Sequence, residues 1–267
     1  MGNMKLKPEI RREKILAEIE KNKTVDIMEL SEKLQVSEMT IRRDLKRLES
    51  SEKLLRTYGG ATRISEGECK KVIDDPLKGR VLKNKDEKAI IGKYAGELVE
   101  NDDVIMIDAS TTALAICKYI RDKKVTVVTN SISVVTALAS FDNITVVVAC
   151  GILRHSSLSL VGSYVEESFK KFNIKKSFIS AKALSFEAGL TDINAFEVET
   201  KKAAMSVSKE VIVLLDHSKL NNISLLKVCE TKEISKIIID GLKEFTVEEE
   251  ELLNKFKSNG IEVIIAK

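Results

Sequence analysis

Residues 36–49 read Val36-Ser37-Glu38-Met39-Thr40-Ile41-Arg42-Arg43-Asp44-Leu45-Lys46-Arg47-Leu48-Glu49, and this stretch decides how the front of the chain folds. Ser37 is an N-cap residue type: its side-chain oxygen can accept from the backbone N–H groups that a helix starting at Glu38 leaves without partners. From that start Ile41, Leu45 and Leu48 recur at i, i+4 and i+7 as one apolar stripe, while Arg43, Lys46 and Arg47 project from the far side at about 100° per residue. The approach, Leu34-Gln35-Val36, leaves room only for a tight turn out of a preceding apolar-periodic segment. Two helices crossing through such a turn make a helix-turn-helix.

A cationic helix face is most often a solvated surface, so the flanks carry the reading further. Behind this helix lie Ile27, Leu30 and Leu34, the inward face of a helix over 26–34 that Asp26 or Thr24 can cap. A helix over 9–22 precedes it, with Ile10, Ile15, Leu16 and Ile19 inward and Arg11, Arg12 and Lys14 outward. After it, Lys53 to Ala61 reads as two short strands about a turn, whose paired glycines, Gly59 and Gly60, permit positive φ and a tight reversal, as in a wing. The run VSEMTIRRDLKRLE followed by LLRTYGGA closely resembles the N-terminal domain of DeoR-family bacterial transcriptional regulators, whose motif is a serine-capped TIRRDL helix with a GGA wing.

The length of 267 residues suggests one small and one larger domain. A composition of 43% hydrophobic and 32% charged residues is that of an ordinary globular protein. The longest apolar runs, such as Ile144 to Cys150, are too short to span a bilayer. The start, MGNMKLKPEIRREK, has charge but no apolar core of a secretory signal, so a cytoplasmic protein with no membrane partner is expected. Cys69, Cys117, Cys150 and Cys229 form no C-x-x-C pair, and His155 and His217 are the sole histidines, so neither a metal site nor a disulfide framework nor any cofactor is expected. The net charge of +3 divides unevenly: residues 1–64 carry 15 Lys+Arg against 11 Asp+Glu, residues 65–267 carry 29 against 30. The basic excess sits with the helix-turn-helix.

Residues 65–85, rich in mixed charge with Gly67, Pro76 and Gly79, read as a linker between a winged helix-turn-helix at 1–64 and a larger domain at 86–267. A helix over 87–100 opens that domain. Seven short, β-branched, apolar strands follow at 104–107, 125–129, 144–149, 177–180, 211–215, 236–239 and 262–265. Helices at about 111–121, 132–140, 164–172, 197–209 and 247–258 alternate with them. Strands apolar on both faces belong to a parallel sheet covered on both sides, so the class is α/β with a mostly parallel sheet.

Ligands of open parallel sheets bind beyond the carboxyl ends of strands. There the sequence places Asp108-Ala109-Ser110-Thr111-Thr112 entering a helix, whose hydroxyls and free N–H groups suit a phosphate, with Asp108 available to sugar hydroxyls. An ordinary N-cap explains the same residues equally well. Thr129-Asn130-Ser131 repeats the arrangement, and Cys150-Gly151 ends the third strand. Further on come Gly189-Leu190-Thr191-Asp192-Ile193-Asn194 with Glu197 and Lys201, and then Asp216-His217-Ser218-Lys219. Lys219 could pair with a phosphate; Glu197 and Lys201 could equally be a surface i, i+4 pair, and His217 a structural histidine.

In this order the segments DASTT, TNS, CG, GLTD-x-N-x-x-E and DHSK resemble the effector domain of the same DeoR family. The resemblance implies a ribose-5-phosphate isomerase-like fold turned to sensing phosphorylated sugars. It also implies an effector pocket of Asp108, Ser110, Thr111, Thr112, Thr129, Asn130, Gly151, Asp192, Glu197 and Lys219. Cys150, Ser110 and Ile239 depart from the residues usual at their places in that family.

The expected function is therefore a DNA-binding transcriptional repressor of a sugar-catabolism operon, controlled by a phosphorylated sugar and not an enzyme. Ser37 and Thr40 open the recognition helix, Arg42 and Arg43 near its start suit guanine O6 and N7, and Thr40 suits a base edge or phosphate. Lys46 and Arg47 suit phosphates of double-stranded operator DNA, Arg56 in the wing the neighbouring backbone or minor groove, and Asp44 an internal ion pair. One such domain makes few contacts, so a homo-oligomer on repeated half-sites is expected. The rival is a sugar-phosphate isomerase with Glu197 or Asp192 as base; a winged helix that binds a protein partner is a third reading.

Overall fold

The computed structural model describes residues 8–22, 24–50, 54–56, 60–62 and 77–267. The chain divides into two units, 1–71 and 72–267.

In the first unit α1 (Pro8–Asn22), β1 (Thr24–Asp26), α2 (Ile27–Leu34), α3 (Glu38–Ser50), β2 (Leu55–Arg56) and β3 (Gly60–Thr62) follow one another. Asp26 caps α2, its Oδ1 accepting from Met28 N at 2.7 Å, and Gln35 ends the helix in a left-handed conformation at φ 50°. Ile15 and Ile19 of α1, Ile27, Leu30 and Leu34 of α2, and Ile41, Leu45 and Leu48 of α3 form one core with Leu54 and Ala61. The apolar stripes of all three helices thus meet, which is what holds α3 in place.

Two expectations change here. Ile10 lies outward, 45% exposed, and Arg11 is the inward residue at 7%, because its guanidinium finds a carboxylate across the core. Thr24–Asp26, read as a cap region, is also a strand: it pairs antiparallel with β3, giving the sheet order β1-β3-β2. This pairing explains Gly60, where a Cβ would lie 1.8 Å from Val25 O; close backbone approach, not positive φ, requires the glycine. The turn at 57–59, including Gly59, and the side chain of Arg56 lie outside the described residues.

The second unit begins with α4 (Leu77–Leu82) and α5 (Lys85–Glu97). Then come β4 (Val104–Ile107), α6 (Thr111–Leu114), β5 (Val125–Thr129), α7 (Ile132–Leu138), β6 (Ile144–Val148), β7 (Ile152–Arg154), β8 (Ser159–Val161), α8 (Ser163–Phe169) and β9 (Ile174–Ile179). The remainder is β10 (Ala183–Ser185), β11 (Gly189–Asp192), α9 (Ala195–Ser206), β12 (Ser208–Leu215), β13 (Leu226–Cys229), β14 (Lys236–Asp240), α10 (Val247–Ser258) and β15 (Glu262–Ala266).

All seven expected strands enter one sheet of order β15-β14-β12-β9-β4-β5-β6, parallel at every pairing. Side chains alternate between two buried faces: Ile105, Ile107, Phe178, Ile212, Leu214 and Ile238 join the core under α5, and Met106, Ile179, Val213, Leu215, Ile237 and Ile239 the opposite one. Burial on both sides is why these strands read as continuous apolar runs. The strand order reverses between β4 and β9, so a crevice opens there at the carboxyl ends. A hairpin of β7 and β8 and a small antiparallel sheet β10-β11-β13 stand beside it.

The expected helix over 111–121 is shorter: a single α turn, α6, passes into a 3-10 helix at Ala115–Lys118. A helix of one turn has little macrodipole, which weakens the anion argument made for its N-terminus.

Candidate functional site

In the first unit Ser37 precedes α3, with Oγ 3.0 Å from Thr40 Oγ1 and 3.4 Å from Thr40 N. Ile41, Asp44, Leu45 and Leu48 are buried, and Met39, Arg42, Arg43, Lys46 and Arg47 are exposed. Arg42 is drawn to Glu38 one turn back, Nη2–Oε2 3.4 Å. Asp44 is buried and ion-paired to Arg11, the internal role expected of it. α3 therefore offers a cationic outer face anchored by a continuous inner stripe, of the size that enters a major groove.

In the second unit the switch point is closed by Asp108. One carboxylate oxygen accepts from Ser110 N at 2.9 Å and the other from Ser180 N at 3.0 Å, joining the ends of β4 and β9. Burial pushes its pKa up, against the pull of Lys201 and of these hydrogen bonds. Thr129 is also bound into the frame: its Oγ1 donates to Ile107 O at 2.6 Å and accepts from Ser131 N at 3.0 Å. Ser110 caps α6 through Ala113 N. At Gly151 a Cβ would lie 2.3 Å from Val165 Cγ2, so this glycine answers to packing against α8.

Asn130 donates from Nδ2 to Leu160 O at 3.0 Å. Its Oδ1 is buried with no hydrogen-bond partner, as is Thr112 Oγ1. Thr111 Oγ1 lies 3.4 Å from Arg80 O. These unsatisfied oxygens sit at the strand ends, where a polar ligand would pair them.

The charged residues form two groups. Asp192 and Lys201 are an ion pair at 2.5 Å, both buried. Burial disfavours the Lys201 ammonium, but Asp192, Asp108 and Glu197 together raise its pKa; burial likewise opposes the Asp192 carboxylate, and Lys201 brings its pKa below the usual range. Glu197 does not pair with Lys201 as a surface i, i+4 couple. It is buried, and its Oε1 accepts from Ser157 Oγ at 2.9 Å, Ser159 Oγ at 2.6 Å and Arg154 Nη1 at 3.3 Å, fastening α9 to the β7–β8 hairpin.

The second group is cationic and was largely illegible in the sequence. Lys219 Nζ lies 3.2 Å from Ser180 Oγ and 3.7 Å from Asp216 Oδ2, and burial lowers its pKa. Lys88 on α5 is 7% exposed, and its Nζ donates to Lys83 O at 2.5 Å and to Arg80 O. Burial, then the nearby charge of Lys219, then Arg80 and Lys83, bring its pKa down to about 8, against the pull of Asp216. Arg80 adds a guanidinium whose Nε and Nη2 are buried without hydrogen-bond partners. Asn84 Nδ2 donates to Asp216 Oδ1 at 2.7 Å. Cations gathered this closely, two of them with lowered pKa and the third with unused donors, make a site for a dianion such as a phosphate.

His217 answers to structure. Its N–H donates to Asp240 Oδ2 at 2.7 Å and its Nδ1 lies 2.9 Å from Asp240 Oδ1. Glu87 stands near this pair, and the three form a group of metal-ligand type among the described residues; the Asp240 oxygens are already taken up by His217.

Residues 11–67 match the family model of the DeoR-like helix-turn-helix domain, and residues 83–241 that of the DeoR C terminal sensor domain. The chain belongs to the DeoR family. It is thus a DNA-binding transcriptional regulator. Among relatives, it is 34% identical over 231 residues to the uncharacterized HTH-type transcriptional regulator YulB of Bacillus subtilis, covering 86% of this chain and 88% of that one. It is 33% identical to the HTH-type transcriptional regulator GolR of Listeria innocua, covering 96% and 98%. To the HTH-type transcriptional repressor GlcR of Bacillus subtilis it is 32% identical, covering 88% and 87%. A solved ribose 5-phosphate isomerase from Methanocaldococcus jannaschii aligns at TM-score 0.39 and 20% identity over 52% of this chain and 55% of that one, too loose a likeness to argue for catalysis. The DeoR family and these named relatives are regulators, not enzymes. Among the described residues no helix is long and apolar enough to cross a membrane.

Proposed function

We propose that this DeoR-family regulator is a repressor whose operator affinity is set by a phosphorylated sugar. The observation that carries this is the cationic group at the strand ends, Arg80, Lys88 and Lys219, beside unsatisfied Thr112 Oγ1 and Asn130 Oδ1. The phosphate goes to the three cations. The polyol goes toward Asn130, Asp192, Glu197 and Lys201, with Asp108, Ser110, Thr111, Thr129 and Gly151 shaping the crevice. A relative bearing the name of a repressor supports the direction of control.

On the DNA side, Arg43 reads a base edge, Arg42 and Thr40 flank it, Lys46, Arg47 and Arg56 hold phosphates, and Ser37 fixes the start of the helix. The domains are 1–64 for DNA and 86–267 for effector and self-association, in a cytoplasmic homo-oligomer that spans two half-sites; of the expected linker 65–85, residues 77–85 belong to the second unit as α4 and the start of α5. Arg80 on α4 and Asn84 before α5 stand at the start of the second unit, so a phosphate held by Arg80 acts on the part of the effector domain that follows the DNA-binding domain in the chain. A ligand shifts operator affinity only by binding one arrangement better than another.

The test is fluorescence anisotropy of the full chain on duplexes from the DNA beside its own gene, with a panel of sugar phosphates and the Arg80→Met and Lys88→Met variants. The expected result is selective binding, shifted by one sugar phosphate in the wild type and unshifted in both variants. Selective DNA binding that no sugar phosphate alters, in affinity or in thermal stability, would overturn the effector reading.

A further inference from the structure

Three large apolar side chains of the first unit are exposed among its described residues, Ile10, Met28 and Met39, and Met39 alone belongs to α3. It is 68% exposed in the first turn of that helix. The buried stripe of Ile41, Asp44, Leu45 and Leu48 defines the inward direction. At about 100° per residue, Met39, Arg43 and Lys46 then lie within about 30° of the line directly opposite it, whereas Arg42 and Arg47 fall on the two shoulders. Met39 and Arg43, one turn apart, are therefore the side chains that a helix laid in a major groove drives deepest, since the N-terminal residues of such a helix meet the base edges.

An apolar side chain at that place has no phosphate or base heteroatom to bond. The one apolar group on the floor of the major groove is the 5-methyl of thymine. Methionine, unbranched and adaptable, can follow such a methyl. We propose that Met39 reads a thymine 5-methyl group in the operator, beside the base contacted by Arg43. Arg43 then supplies hydrogen-bond recognition and Met39 apolar recognition of a neighbouring base pair, and specificity at that pair depends on one methyl group.

The test is selection of duplexes from a randomised pool by the full-length wild type and by Met39→Ala, whose exposed site leaves the fold unchanged as checked by thermal denaturation. The wild type enriches thymine at one position of each half-site, and Met39→Ala loses that preference while keeping the others. Replacing this thymine by uracil, which removes only the methyl, weakens wild-type binding about fourfold and leaves Met39→Ala binding unaltered. Identical selected sequences for the two proteins, or an equal loss with uracil in both, would overturn the proposal. Failure of both proteins to enrich any sequence would overturn it together with the assignment of α3 as the reading helix, a result separable from the first two.

Discussion

Arg11 on α1 and Asp44 on α3 form an ion pair through the first unit, Nε to Oδ2 2.5 Å, with side chains only 9% and 4% exposed. The pair joins residues 33 positions apart, one on the helix before the helix-turn-helix and one on its second helix. It sits on the inward side of α3, so it fixes the rotation of the helix about its axis and thereby which residues face out.

Removing one partner leaves the other charge buried without its counter-ion. Asp44→Ala is expected to lower the stability of the DNA-binding unit by about 3–5 kcal/mol, read as a shift in denaturant midpoint at unchanged slope. The double replacement Arg11→Met with Asp44→Leu is expected to cost much less, because no charge remains stranded. Equal losses in the two proteins would show that packing volume, not charge pairing, governs this site.

The same pair shows where sequence reading stops. Periodicity located the stripe of α3 and all seven strands of the large sheet, since those patterns are local and repeat. It placed Ile10 inward and Arg11 outward on α1, because nothing within one helix says that a cation has a partner on another. The strand Ile174–Ile179 was found only from Ser177, since Lys175 and Lys176 interrupt its apolar run; both are paired with Asp103, at 2.6 and 2.9 Å. β1 has three residues and no apolar run of its own. In the effector domain the polar strand ends were visible, while Arg80 and Lys88, one in a stretch read as linker and one on an amphipathic helix, became a site only through long-range packing.

The two arginines of α3 are expected to separate. Arg43 lies on the outward line and Arg42 on the shoulder beside Glu38, 3.4 Å away. Arg43→Ala should reduce selective operator binding by about 1–3 kcal/mol and relax specificity at one base pair. Arg42→Ala should weaken binding to all sequences alike and make the salt dependence shallower by about one unit of slope. Anisotropy titrations on specific and scrambled duplexes across a salt series distinguish the two.

Effector binding is expected to depend on pH through Lys88. Its folded pKa of about 8 lies below the ordinary 10.5. The charged form is therefore disfavoured by folding: the cost is fully present below about 8 and fades as pH rises toward the unfolded value. A bound phosphate dianion reverses the preference and draws a proton onto Lys88. Affinity for the sugar phosphate should thus fall as pH climbs from about 8, approaching tenfold per unit, with proton uptake measurable by calorimetry in buffers of differing ionisation enthalpy. Lys88→Met should bind more weakly throughout and show a flatter profile; a wild-type profile flat from pH 7 to about 9.5 would remove Lys88 from the phosphate site.

Lys201 faces carboxylates on more than one side, and its removal should show this in the pH dependence of stability. In the wild type Asp192 has a lowered pKa, so its contribution is present above the ordinary carboxylate value and is lost as pH falls through the lowered one. In Lys201→Met that cation is gone, so burial is opposed only by the remaining hydrogen bonds and, at Asp192, by Lys219, and both pKa values rise. The variant should be about 3–5 kcal/mol less stable near neutral pH, with the gap narrowing on acidification as the stranded carboxylates take up protons. Adding Asp192→Asn to Lys201→Met should recover part of the loss. If the gap between wild type and Lys201→Met stays constant from pH 7 to about 4, the lysine contributes by filling space and not through its charge.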